Sequence, residues 1–143
     1  MMDRIAPRAT RGFTLIELLV VIVIIGLLAA FVAPKYFNQI GRSKIQVARA
    51  QIDSLEKALE QYRIDTGHYP ATEAGLAALL VRPVGEPAWN GAYLKKTIPA
   101  DPWGNLYLYR TPGRDEREYD LVSYGADGKA GGEGDDADVG NWN

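Results

Sequence analysis

Two groups of residues in this sequence have types and spacings that could do chemistry. The first lies near the C-terminus, where Asp127, Asp135, Asp136 and Asp138 crowd a stretch that also holds Gly125, Gly128, Gly131, Gly132, Gly134 and Gly140. A hard cation such as Ca²⁺ takes carboxylate and backbone carbonyl oxygens from a chain that can bend sharply, and glycine allows the bending. The spacing is not that of an EF-hand, and no Gly-Lys-Ser/Thr phosphate loop occurs. On the residues alone, a cation loop and a solvated acidic tail both stand. The second group centres on Glu17, the single charge in the span Phe13–Ala33, FTLIELLVVIVIIGLLAAFVA. A carboxylate among apolar residues at membrane depth is costly unless paired or protonated, so Glu17 is a functional candidate.

The elements that position these groups follow from periodicity. As a helix, Phe13–Ala33 would be roughly 31 Å long, enough to cross a bilayer. Arg4, Arg8 and Arg11 precede it, which reads as a cytoplasmic leader with the bulk of the chain on the far side. This divides the chain into a leader (1–12), a membrane helix (13–33) and a globular part (34–143). Pro34 should kink the helix. Helical spacing resumes beyond it to about Asp65, with Ile45, Ala48, Ile52, Leu55, Leu59 and Tyr62 three and four apart. That stripe reads as core packed on a sheet. The opposite face carries Arg49, Asp53, Glu56, Lys57, Glu60 and Arg63, with Asp53–Lys57 a favourable pair and Glu56–Glu60 a repulsive one.

Gly67 suits a helix C-cap, and His68 reads as a solvated turn residue. Thr72 is placed to N-cap a short helix ending near Leu80. Arg82–Asp101 reads as a long loop braced by Trp89 and Tyr93. Asp101–Asn105, DPWGN, is a turn. Strands are expected at Leu106–Arg110 and Glu118–Ser123, joined through Pro112-Gly113, with a last short strand near Val139–Trp142. In the second strand Tyr119, Leu121 and Ser123 should alternate against Glu118, Asp120 and Val122. Trp142 should fold the tail back onto the domain.

Composition narrows the function. The 143 residues carry a net charge of −2, which argues against a general nucleic-acid binder. Glu118–Asn143 holds seven acids against one base, Lys129. With no cysteine and one histidine, neither a thiolate nor a histidine-cluster metal site can form. No catalytic constellation is visible, so a membrane-anchored enzyme is disfavoured. A small exported domain without disulfides needs another staple, such as a metal or its neighbours in an assembly.

Gly12–Glu17, GFTLIE, behind a short basic leader resembles the class III signal of type IV pilin-like proteins. The resemblance implies cleavage by a prepilin peptidase between Gly12 and Phe13, with methylation of the new Phe13 amine. It also implies that the Phe13 amine neutralises Glu17 of a neighbouring subunit and sets register in a filament, with Pro34 in the same assembly helix. Further motifs, TGHYP (Thr66–Pro70), GLAAL (Gly75–Leu79), DPWGN and the run Ser123–Trp142, resemble the major pseudopilin family of type II secretion systems. Tyr124 departs from it, standing where that family often has leucine.

The implied fold is α+β and pilin-like: a long N-terminal helix, first transmembrane and then amphipathic, packed on a small antiparallel sheet. The implied cofactor is one Ca²⁺ per subunit, held by Asp127 and two of Asp135, Asp136 and Asp138, with backbone carbonyls around Tyr124 and Lys129. The implied role is structural: a single-pass inner-membrane subunit with its C-terminal domain in the periplasm. It would polymerise with itself, joined by minor pseudopilins and an inner-membrane assembly platform, to drive export of folded proteins. A type IV pilin of a surface fibre and a minor pseudopilin are the nearest alternatives; many such pilins have a C-terminal cysteine pair, which is absent here.

Overall fold

The computed structural model describes residues 12–143; the basic leader residues Arg4, Arg8 and Arg11 lie outside them. One helix, α1, runs Leu15–Thr66, with Pro34 inside it and helix on both sides of the proline. The chain divides into two compact units at Phe37/Asn38. In the first, Leu15–Pro34 is long and apolar enough to cross a membrane, with a mean hydropathy of 3.1 and no residue of its most apolar window buried.

The second unit is built on the C-terminal part of α1. The expected stripe is its core face: Ala48, Ile52, Leu55, Leu59 and Tyr62 are buried and Ile45 is partly so. Ala58 joins them, and Gly41, one step of four before Ile45, is buried as well. Against this face pack Leu76, Ala78 and Leu79 from a 3-10 helix, Gly75–Leu79, and Tyr107, Tyr119, Leu121 and Val139 from the sheet region. The sheet has three antiparallel strands, β1 (Leu108–Arg110), β2 (Asp120–Ser123) and β3 (Val139–Gly140), in the order β1-β2-β3. Leu108 faces Val122 across the first pair, and Val122 faces Gly140 across the second.

Several expectations need correction. Thr72 does not cap the short helix, whose N-cap is Ala74. Its hydroxyl instead donates to Thr111 O (2.8 Å) and accepts from Thr111 N (3.0 Å). This occupies the backbone that would have extended β1, while Thr111 Oγ1 donates to Glu118 O (2.9 Å) and stops β2 at Asp120. At the other end of β1, Tyr107 turns to the helix and donates to Gln51 Oε1 (2.5 Å). The alternation expected in β2 holds as two faces, with Tyr119 and Leu121 in the core and Asp120 and Val122 opposite, but all four strand residues are buried, so neither face is solvated. Asp120 and Val122 lie on a face that lines a cavity with Arg110, Arg114 and Trp142. On the polar face of α1 the ion pair is Arg63–Glu60 (3.0 Å), not Asp53–Lys57. Glu56 accepts from Tyr119 Oη (3.1 Å) and Glu60 from Tyr69 Oη, so both acids latch tyrosines onto the helix. Burial raises the Glu56 carboxyl despite the Tyr119 bond, whereas the Tyr69 and Arg63 bonds lower that of Glu60.

The long loop is braced as expected. Trp89 Nε1 donates to Ala78 O (2.8 Å) and Tyr93 Oη to Asp65 Oδ2 (2.9 Å), with the two rings edge to face at 5.7 Å. His68 is exposed, but its Nε2 also reaches Glu86 Oε2 at 2.9 Å.

Candidate functional site

At the N-terminal end, Phe13 and Thr14 precede the helix, which opens at Leu15. Thr14 Oγ1 accepts from Glu17 N (3.2 Å), and Glu17 Oε2 accepts from Thr14 N (3.4 Å). This reciprocal pair is a capping box, Thr-x-x-Glu, which satisfies two of the donors a helix start leaves open. An acid in the first turn also meets the positive end of the helix dipole. The Thr14–Glu17 spacing carried this signal, and reading Glu17 only as a charge within the membrane span misses it. Phe13 and Glu17 are both exposed.

The acidic loop lies between β2 and β3. Asp127 Oδ1 accepts from Lys129 N (3.0 Å), and both Asp138 carboxylate oxygens accept from Gly131 N (3.0 Å). Asp135 and Asp136 sit in a 3-10 turn, Gly134–Asp136. Asp135 points to the helix: a Cβ at Gly41 would stand 1.9 Å from its Oδ1. Gly41 is thus a notch in the buried stripe, in the series 41, 45, 48, 52 where other positions carry side chains. That interruption was the available signal, and it was missed. Among the described residues no three acids or histidines gather into a group that could hold a metal.

The donor set nonetheless fits a hard cation in kind. It offers only carboxylate and carbonyl oxygens. The loop folds on itself because glycine lets backbone approach backbone. At Gly125 (φ +65°) a Cβ would lie 2.6 Å from Asp135 O, and at Gly132 (φ +93°) 2.5 Å from Asp136 O. Asp127, Asp135, Asp136 and Asp138 would be the carboxylates available to the ion, with the carbonyls of Tyr124 and Lys129.

Sequence reasoning also missed the base of the loop. Asp101, 4% exposed, accepts from Trp103 N (3.0 Å) and Asn105 N (2.8 Å) on Oδ1 and from Ser123 Oγ (2.5 Å) on Oδ2. Ser123 Oγ accepts from Gly125 N (3.2 Å), and Asn105 Nδ2 donates to Gly125 O (2.9 Å). The DPWGN turn therefore grips the first residue of the acidic loop directly at its carbonyl, through Asn105, and indirectly at its N–H, through Ser123 held by Asp101.

An apolar helix opened by a capped Phe-Thr-Leu-Ile-Glu segment, followed by a helix-on-sheet domain, defines a membrane-anchored pilin-like subunit. Residues 7–33 match the prokaryotic N-terminal methylation motif, and residues 35–142 match the model of type II secretion system protein G. The chain belongs to the type II secretion system protein G family. It is 48% identical over 139 residues to the type II secretion system core protein G of Pseudomonas aeruginosa, covering 94% of this chain and 96% of that one. The Vibrio cholerae core protein G is 45% identical, covering 95% of this chain and 94% of its own. The crystal structure of the major pseudopilin from the type 2 secretion system of enterohaemorrhagic Escherichia coli superposes with a TM-score of 0.62 at 33% identity, over 74% of this chain and 92% of that one.

Proposed function

We propose that this chain is the major structural subunit of a type II secretion pseudopilus, polymerising through its N-terminal helix to move folded proteins across the outer membrane. The carrying observation is the single acid of the apolar span, Glu17, in the first turn of a helix that begins within the methylation motif. The family matches favour protein G over a surface-fibre pilin or a minor pseudopilin. The subunit waits in the inner membrane with residues after the span in the periplasm. A prepilin peptidase cuts between Gly12 and Phe13, and the assembly platform and minor pseudopilins receive the product. Glu17 then sets register by pairing with the Phe13 amine of the next subunit, because a carboxylate in an apolar setting is tolerated when a cation neutralises it.

The test separates charge from cap. Glu17→Ala removes both; Glu17→Gln keeps a residue suited to the capping box and removes the charge. Both variants should insert and be processed, and both should incorporate poorly into filaments, measured by sheared-filament yield against total membrane-bound subunit. Normal filaments from Glu17→Gln would sink the register role and leave Glu17 a helix cap.

The acidic loop, on this reading, binds one Ca²⁺ per subunit and so replaces the missing disulfide as staple. Bound ion neutralises the mutual repulsion of Asp127, Asp135, Asp136 and Asp138, and it stabilises the folded chain by mass action. At a hundred times its Kd that amounts to about 2.7 kcal/mol. A thermal melt of the full-length chain in detergent should therefore rise saturably with Ca²⁺, fall with chelator, and lose its dependence in Asp127→Ala. Identical melts with calcium and chelator would reduce the loop to a solvated acidic tail.

A further inference from the structure

We propose that Asp101 and Ser123 are positioning residues for the acidic loop: through Gly125 they set the direction of the Tyr124 carbonyl, one of the oxygens offered to the ion. The inference rests on the calcium reading above. It follows from the rigidity of the peptide unit. The N–H of Gly125 and the carbonyl of Tyr124 share one plane, and in a trans peptide they point in opposite directions. The Thr111–Pro112 bond is the cis peptide of the described chain, so Tyr124–Gly125 is trans. Gly125 N donates to Ser123 Oγ, which is held in turn by Asp101 Oδ2. Pinning that N–H inward sends the Tyr124 carbonyl outward, away from Ser123.

The next plane is pinned as well. Gly125 O accepts from Asn105 Nδ2, and Ala126 N, on the far side of the same peptide, donates to Asp135 O at 2.9 Å. Both planes at the start of the loop thus have a single orientation. The anchor itself cannot drift. Ser123 is fully buried, Asp101 nearly so, and the Asp101 carboxylate is also tied to two N–H groups of its own turn. Oδ1 of Asp101 closes its own turn, and Oδ2 is left for Ser123, so one carboxylate couples the turn to the loop.

The experiment uses the full-length chain in detergent micelles, with Ser123→Ala and Asp101→Asn. Ser123→Ala removes the acceptor for Gly125 N. Asp101→Asn keeps the shape but sets an amide against the Ser123 hydroxyl, which must then compete for its lone pairs. Calcium affinity is measured by calorimetric titration, and the melting point is measured separately in chelator. The number of waters on bound Tb³⁺ is read from its emission lifetime in H₂O and D₂O. Loss of an outer partner that orients a metal ligand typically weakens binding about 10- to 100-fold. Ser123→Ala should raise the calcium Kd within that range, Asp101→Asn should raise it by a smaller factor, and Tb³⁺ should gain one water as the carbonyl swings off. A calcium Kd and water count equal to wild type, with only the chelator melting point lowered, would overturn the proposal and leave a purely structural brace. Absence of calcium binding in wild type would overturn it differently, by removing the calcium reading on which it rests.

Discussion

Leu59→Ala should destabilise the globular part by about 2–5 kcal/mol, the range for truncating a buried leucine. Leu59 has no exposed surface and belongs to the same cluster as Leu76, Leu79, Tyr107, Leu121 and Val139. The cost combines lost apolar transfer with a cavity that α1 cannot collapse into, since Leu55 and Tyr62 on the same face are themselves buried in the cluster. The melting midpoint should fall by on the order of 10 °C or more for a unit of this size. Ile64→Ala is the control: it is on the same helix but 71% exposed, and should change stability by under about 0.5 kcal/mol in the unassembled subunit. Equal losses at the two sites would mean that the stripe is not the core.

That stripe was legible because helix periodicity needs only the order of apolar residues. Ile45, Ala48, Ile52, Leu55, Leu59 and Tyr62 are all on the packed face. The N-terminal span was legible for the same reason, since length and hydropathy decide it. The strands were placed correctly and drawn too long. Their ends are set by Thr72 and Tyr107, whose side chains capture backbone or helix groups 39 and 56 residues away, and by Thr111, whose hydroxyl captures Glu118 O seven residues on; no local pattern announces such captures. Thr72 beside Glu73 looked like a cap because side-chain type was read without knowing that a strand end would compete for its hydroxyl.

The acidic loop divides in the same way. Its composition announced a flexible, oxygen-rich segment. Its organisation comes from Asp101, Asn105 and Ser123, which sequence reading left as turn and strand, and from Gly41 in the helix. A buried acid such as Asp101 is invisible in sequence because burial depends on what packs over it. Gly41 was closer to legible, since it sits where the heptad-like series demands a side chain and supplies none.

Asp120 shows how charge, too, can become part of a packed face. Its carboxylate is bound by Arg117 Nε (2.8 Å), Arg110 Nη2 (3.0 Å) and Arg114 N (3.1 Å), and Arg117 also lies over Trp142 at 4.6 Å. The group thereby ties the β1–β2 connection and the C-terminal tail to the outer face of the sheet. Burial alone would raise its pKa from the usual 3.8, but the Arg117 and Arg114 hydrogen bonds and the charges of Arg117 and Arg110 outweigh it, and the net shift is downward. A carboxyl whose folded pKa lies below its unfolded one contributes stability that is complete above the unfolded value, near pH 4, and is lost as pH falls through the folded value.

Asp120→Asn should therefore cost about 1.5–3 kcal/mol at neutral pH, the range for hydrogen bonds to a charged group, moderated because Arg110 and Arg114 stay solvated and are not stranded. Urea midpoints of wild type and variant should stay separated above the unfolded carboxylate value, near pH 4, and converge as the pH falls through the lowered folded value, below which wild-type Asp120 is itself neutral. A gap that persists unchanged into acid would assign the effect to acceptor geometry and not to charge. Arg117→Ala should reproduce part of the loss and also release Trp142, visible as a red shift in tryptophan emission that Asp120→Asn produces only if the arginine lets go of the ring.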